Sequence, residues 1–169
     1  MKNLFSILIL LVLVSCSSKT DKKNNSIIGM ESSNRNFKDI PQLKKFVKVN
    51  DTTIYENNLE NKYGILHLKN ESKNLVIFKG ILTDSLDNVT YKILDTLSIS
   101  NLKKPEFITI NYCNLKNDNK ANIIAIVDKT DSLKIKNIKK VWIANTTSEK
   151  IELENNLNRI DCFNEFFTK

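Results

Sequence analysis

From residue 52 onward the chain is written in short runs of β-branched and aromatic residues: "TTIYEN", "YGILHLK", "NLVIFKGIL", "VTYKIL", "EFITINYC", "NIIAIVDK", "KVWIAN" and "KIELE". Clusters of Asn, Asp, Ser and Lys break them at short intervals, which is the signature of strands joined by turns. "TDSLDN" and "KNDNK" read as hairpin turns and "TTSEK" as a slightly longer one. No helical stretch of more than about ten residues competes after Asn50. The expectation is a mainly β fold: a single antiparallel β-sheet domain, sandwich or meander. "NFKDIPQLKKFVKVN" (residues 36–50) leads into it and admits two readings. Asp39 with Gln42 forms a capping-box pattern and Pro41 suits a first turn, so Leu43, Phe46 and Val47 would share one face of a short N-terminal helix. Alternatively, a strand begins at Phe46.

The other end of the chain carries an address. "MKN" gives a positive start, and "LFSILILLVLV" (residues 4–14) is an apolar core interrupted only by Ser6. A membrane-spanning helix needs about 20 apolar residues, so this stretch is too short to remain as a span. Charged start, short apolar core and small residues at the exit make a cleaved secretory signal. The exit, Leu13-Val14-Ser15-Cys16, resembles the lipobox of bacterial lipoproteins. That resemblance implies a diacylglyceryl thioether on Cys16, cleavage after Ser15 and a further acyl chain, palmitate-like, on the new amine. Two or more chains hold a protein stably at a bilayer. Residues 1–15 are then the signal peptide and 16–36 the lipidated cysteine with its tether. The globular domain would be 37–169. The tether "SSKTDKKNNSIIGMESSNRN" is too polar to offset its ordering entropy. As a flexible chain it would span roughly 25 Å.

Composition restrains the interpretation of charge. The 24 Asn, 24 Lys and 21 Ile, against three Ala, three Gly and two Arg, have the skew of a genome poor in G and C. The formal charge of +7 is spread thinly, with one close group, "LKIKNIKK" (residues 133–140). Nucleic-acid surfaces use clustered Lys and Arg, usually with aromatic platforms. No nucleic-acid partner is expected. Lysines interleaved with Ile135 and Ile138 read as a solvated strand edge.

The search for reaction chemistry finds little. His67, the only histidine, lies in a strand-like run between Leu66 and Leu68, with only Glu71 nearby as a second ligand. It reads as a strand or surface histidine rather than a metal ligand or a triad member. No Gly-rich phosphate loop and no "GxSxG" elbow are present. Nothing marks any two carboxylates as a glycosidase pair. Trp142 shares its parity with Ala144 and reads as a partly buried sheet residue. No cofactor, metal or catalytic residue is expected.

Four of the ten Asp residues precede Ser or Thr: "DTT" at Asp51, "DSL" at Asp84, "DTL" at Asp95 and "DSL" at Asp131. The pattern resembles the O-glycosylation site of exported Bacteroidetes proteins, which would place glycan on Thr52, Ser85, Thr96 and Ser132. Asp-Ser and Asp-Thr also favour turns in their own right.

Lipidation of Cys16 would leave an even pair, Cys113 and Cys162, in a compartment that permits disulfides. A bridge between them would tie the last segment of the chain to the sheet. Two buried free thiols are the alternative.

Lipobox, composition and tether together resemble small envelope lipoproteins of Bacteroidetes, and residues 110–165 are similar to members of that group. The resemblance brings no activity with it. An acidic run after the lipidated cysteine favours surface display in that group, and "SSKTDKKNN" lacks one. The expectation is therefore an outer-membrane protein facing the periplasm, held to the membrane through Cys16. It would be a non-enzymatic binding or assembly module for an envelope protein or glycan. An envelope hydrolase with an unrecognised carboxylate site, or a periplasmic enzyme inhibitor, is the alternative.

Overall fold

The computed structural model describes residues 26–33, 36–55, 62–115 and 122–167; the signal, Cys16 and the turn "KNDNK" lie outside them. The apolar runs are nearly continuous rather than alternating, and the layering explains why. A strand covered on both faces needs apolar residues at successive positions. β3 (Tyr63–Lys69), β4 (Lys73–Thr83) and β8 (Ile123–Asp128) each carry an unbroken run of five or more buried residues.

Two central sheets make the sandwich. β1 (Glu31–Ser33), β2 (Val47–Ile54), β3, β4 and β5 (Val89–Ser100) form the first, in the order β1-β5-β4-β3-β2. The second is β11-β10-β8-β6, from β6 (Glu106–Ile110), β8, β10 (Ile138–Asn145) and β11 (Lys150–Glu154). All pairings are antiparallel. Ile54, Ile65, Val76, Phe78 and Ile99 of the first sheet pack against Ile110, Ile124, Ile126 and Ala144 of the second. Full burial of such side chains stabilises by about 1.5–3 kcal/mol each.

Each central sheet is then covered on its outer face. Ile40, Leu43 and Phe46 close over Leu66, Leu68, Leu75, Ile77 and Ile93. On the far side, β7 (Cys113–Leu115), β9 (Lys134–Ile135) and β12 (Ile160–Phe163) form a small sheet, β7-β12-β9. It contributes Cys113, Ile135, Ile160 and Cys162 to a third core with Ile123, Ala125, Val127 and Val141. Asp95 stitches the two central sheets together. At the β-bulge where Phe78 pairs with Asp95 and Lys79 with Ile93, its carboxylate accepts from Thr96 N and from Ile151 N of β11, each at 2.8 Å.

The mainly β, antiparallel expectation holds, and among the described residues seven of the eight runs each contribute to one strand, with Tyr55, Asn122 and Lys129 just beyond strand ends. "EFITINYC" divides at Asn111, whose φ of 72° turns the chain out of one sheet and into another. The N-terminal lead-in is two 3-10 turns, Phe37–Asp39 and Pro41–Leu43, followed by β2. The capping box does not form: Asp39 accepts instead from Asn36 Nδ2 at 2.6 Å. Val47 is exposed while Leu43 and Phe46 are buried, so these three do not share a face. One boundary needs correcting. Residues assigned to the tether belong to the domain: Ile27 and Met30 join the outer core, Gly29 N donates to Ile93 O, and β1 pairs with β5. Two apolar residues in a polar stretch sufficed, because a sheet edge supplied the hydrogen bonds.

Candidate functional site

In an antiparallel fold alternate connections return to the same end, and here that gathers lysines far apart in sequence. β3 ends at Lys69 and β4 starts at Lys73; Lys103 and Lys104 sit between β5 and β6; Lys129 follows β8. All five line one open cleft of about 660 Å³, with Asn70, Asn74 and Asn101. That volume lies within the usual range for small-ligand sites. Two carboxylates share the cleft, Glu71 and Glu106, so five cations face two anions. Glu106 is already engaged, accepting from Lys103 N at 2.9 Å. Among the described residues none of the five ammonium groups has a carboxylate within ion-pair distance.

The walls are fixed from within. Asn70 Oδ1 accepts from Ser72 N, Ser72 Oγ and Lys73 N, which shapes the β3–β4 turn. Lys129 N donates to Pro105 O at 3.1 Å, joining the two loops of the second sheet. Behind the cleft, His67 is a buried strand residue whose Nε2 meets Asn74 Oδ1 at 3.1 Å. Burial holds its pKa below the ordinary imidazole value, the hydrogen bond to Asn74 opposes this, and the charge of Lys69 lowers it further. His67 thus has a structural place in β3.

A second polar cluster lies in the first sheet. Lys79, only 4% exposed, pairs with Asp51 and places its ammonium 3.9 Å from the Tyr91 ring centroid. Gly64 makes room for it: a Cβ there would lie 2.8 Å from Lys79 Cε and 2.7 Å from Thr52 O. The cavity beside it is only about 20 Å³, too small for a ligand. This pair ties β4 to β2 across the first sheet.

The residues singled out in the sequence fall as follows. Cys16 lies outside the described residues. Cys113 and Cys162 are bridged and sit directly opposite each other in the β7–β12 register. Phe163 N donates to Tyr112 O beside them, so they occupy a non-hydrogen-bonded position, where opposite side chains come closest. Ser85 and Ser132 are exposed in turns, whereas Thr52 and Thr96 are half-buried in strands. Three of the four preceding Asp residues have structural work: Asp51 with Lys79, Asp95 at the bulge, and Asp84, which organises its turn by accepting from Leu86 N, Asn88 N and Asn88 Nδ2. Trp142 packs half-buried at the edge of the central core. In "LKIKNIKK", Ile135 is buried while Lys134, Lys136, Lys139 and Lys140 are exposed, with Lys139 paired to Asp128 at 2.8 Å.

Sequence reasoning missed the lysine cleft because its members come from three separate stretches of the chain, 69–73, 103–104 and 129. The signal that finds it is the direction of the strands: β3, β5 and β8 all run towards the end of the sandwich where these lysines follow them. No protein-family model matches the chain, and neither a curated protein nor a solved structure proves similar to it.

Proposed function

We propose that this chain is a lipid-anchored, non-enzymatic binding module of the bacterial envelope. Cys16 fastens it to the outer membrane on the periplasmic side, and the lysine cleft takes an anionic group of an envelope partner or glycan. The supporting observation is the convergence of five lysines from three connections on one cleft. Like charges held together in a partly enclosed space focus a positive potential and raise the local concentration of anions. Of the five, Lys73 also lies over the core ring of Phe46, 5.8 Å from its centroid, while Lys103 and Lys104 are exposed.

The test is titration of the polypeptide from Ser26, which contains all three cores, with inorganic pyrophosphate at low and high salt. Binding that weakens as salt rises, and is lost in Lys103→Ala/Lys104→Ala, supports the reading. Equal binding by that variant overturns it. Any glycan on the domain is expected at Ser85 and Ser132, which are exposed, before Thr52 and Thr96.

A further inference from the structure

The lysine cleft does not stand alone. Lys129 also lines a second depression, of about 480 Å³, whose other walls are Thr130, Asp131, Asn164, Phe166 and Phe167. Phe166 is 63% exposed and Phe167 36%, large apolar surface at a place where solvated side chains would serve solubility better. They are held rather than loose. The Phe166 ring lies 5.7 Å from that of Phe107. Asn164 secures the turn that carries them: its Nδ2 donates to Thr130 O at 2.6 Å, its N donates to Leu133 O, and its Oδ1 accepts from Phe166 N. A preorganised apolar site spends less of its binding energy on ordering.

We infer that the ligand is an anionic amphiphile, with phosphate groups in the lysine cleft and hydrocarbon against Phe166 and Phe167. This rests on reading the cleft as an anion site and adds the second depression to it. The lining chemistry selects the class. Lysine ammonium groups act as point charges and tolerate varied phosphate geometries, where arginine would impose a planar fork. No aromatic ring lines the lysine cleft, so neither a sugar face nor a nucleobase finds a stacking surface there. The aromatic side chains stand instead next door, beyond the shared Lys129, with Asp131 beside them. A ligand that spans both must therefore change from charged to apolar along its length and be uncharged at the far end. A phospholipid and a phosphorylated glycolipid both do.

The experiment uses the polypeptide from Ser26 and monomeric short-chain lipids: dihexanoyl phosphatidylglycerol, dihexanoyl phosphatidylcholine and a diacylated glucosamine phosphate, with glycerol phosphate as the headgroup alone. The anionic lipids should bind at least tenfold more tightly than glycerol phosphate and than the choline lipid. Phe166→Ser should bring the anionic lipids down to the level of glycerol phosphate and leave glycerol phosphate unchanged. Lys103→Ala/Lys104→Ala should erase the preference over the choline lipid. These three side chains are exposed, and the single histidine gives one ring signal that checks folding in each variant. Tighter binding by either anionic lipid supports the inference and assigns its source. Equal binding of glycerol phosphate and the anionic lipids overturns the amphiphile and leaves the anion cleft standing. Failure of every anionic probe overturns both.

Discussion

Removing the Cys113–Cys162 bridge by Cys113→Ala/Cys162→Ala should cost this domain about 4 kcal/mol, and the structure says where that cost arises. The bridge spans 49 positions, and the loop it closes contains β9 and three of the four strands of the second central sheet, β8, β10 and β11. In the chain-entropy model, a closed loop of about 50 residues stabilises by roughly 4 kcal/mol at 25 °C, acting on the unfolded ensemble. Both cysteines are 1% exposed among Ile123, Ile135, Ile160 and Val141, so losing the sulfurs adds a small packing cost on the folded side. For a domain of this size the melting temperature should fall by about 15 °C, from an unfolding entropy near 2.1 cal/mol/K per residue. The assay is thermal and urea unfolding of the polypeptide from Ser26, oxidised, reduced, and as the double variant. Because the bridge restrains the unfolded chain, its loss should also steepen the urea dependence as more surface becomes exposed. Thiol titration in denaturant should find no free thiol in the oxidised protein. A melting temperature that moves by less than about 3 °C, with an unchanged urea slope, would refute the argument that closure of this loop stabilises the sheet.

Asp51→Ala should destabilise by about 3 kcal/mol by taking a carboxylate from buried Lys79, and adding Lys79→Met should restore most of it; a double variant no better than the single one would contradict this. Gly64→Ala should cost about 2 kcal/mol in urea unfolding, since its Cβ would collide with Thr52 O and Lys79 Cε, and a neutral result would show that the strands part freely. His67 has a folded pKa below its unfolded value, so the stability it confers is intact above pH ~6.5 and is lost as pH falls below it. Urea midpoints should decline from pH 7 to pH 5 in the parent and stay flatter in His67→Gln; parallel declines would show that other groups are responsible. Cys16→Ala in the full chain should leave unprocessed precursor or release the protein from membranes, and a processed variant that still sediments with membranes would sink the anchor. An intact mass equal to polypeptide plus lipid alone would remove the case for glycan.

The strands were legible because their composition and length leave no competing period. "YGILHLK" matches β3 residue for residue, and "KIELE" matches β11. What stayed hidden were the short elements whose pairing is long-range. β9 has two residues and β12 four: β9 becomes a strand by pairing with β12, and β12 by lying between β7 and β9. β1 was masked by polar neighbours: Glu31-Ser32-Ser33 has no β texture, yet Ser32 is buried once it pairs with Tyr91. The two 3-10 turns replaced a helix for a related reason. A first helical turn gains little until more turns follow, and Pro41 restrains the residue before it to an extended conformation, which Ile40 adopts. The disulfide pair was legible by counting cysteines, but its cross-strand register was not.

The Asp-Ser/Thr pattern teaches a further distinction. An enrichment can be real and still have two causes at once, since the same carboxylate that would mark a glycan site is also a good hydrogen-bond acceptor for local backbone N–H groups. At Asp84 the acceptor role builds the turn that leaves Ser85 exposed. At Asp95 it anchors a bulge whose neighbour Thr96 is half-buried within a strand. The two sites therefore part company on geometry where the motif treats them alike. The lysine cleft is the converse case. Lys69, Lys73, Lys103, Lys104 and Lys129 carry no motif, yet the meander must bring the ends of β3, β5 and β8 to the same edge of the sandwich. Once the strands are placed, the number of reversals between two residues decides whether they meet. Charge at the turns is thus gathered by strand direction into one cleft, while charge along the strands builds contacts within the sandwich, as Lys79 with Asp51 and Asp95 with Ile151 N do.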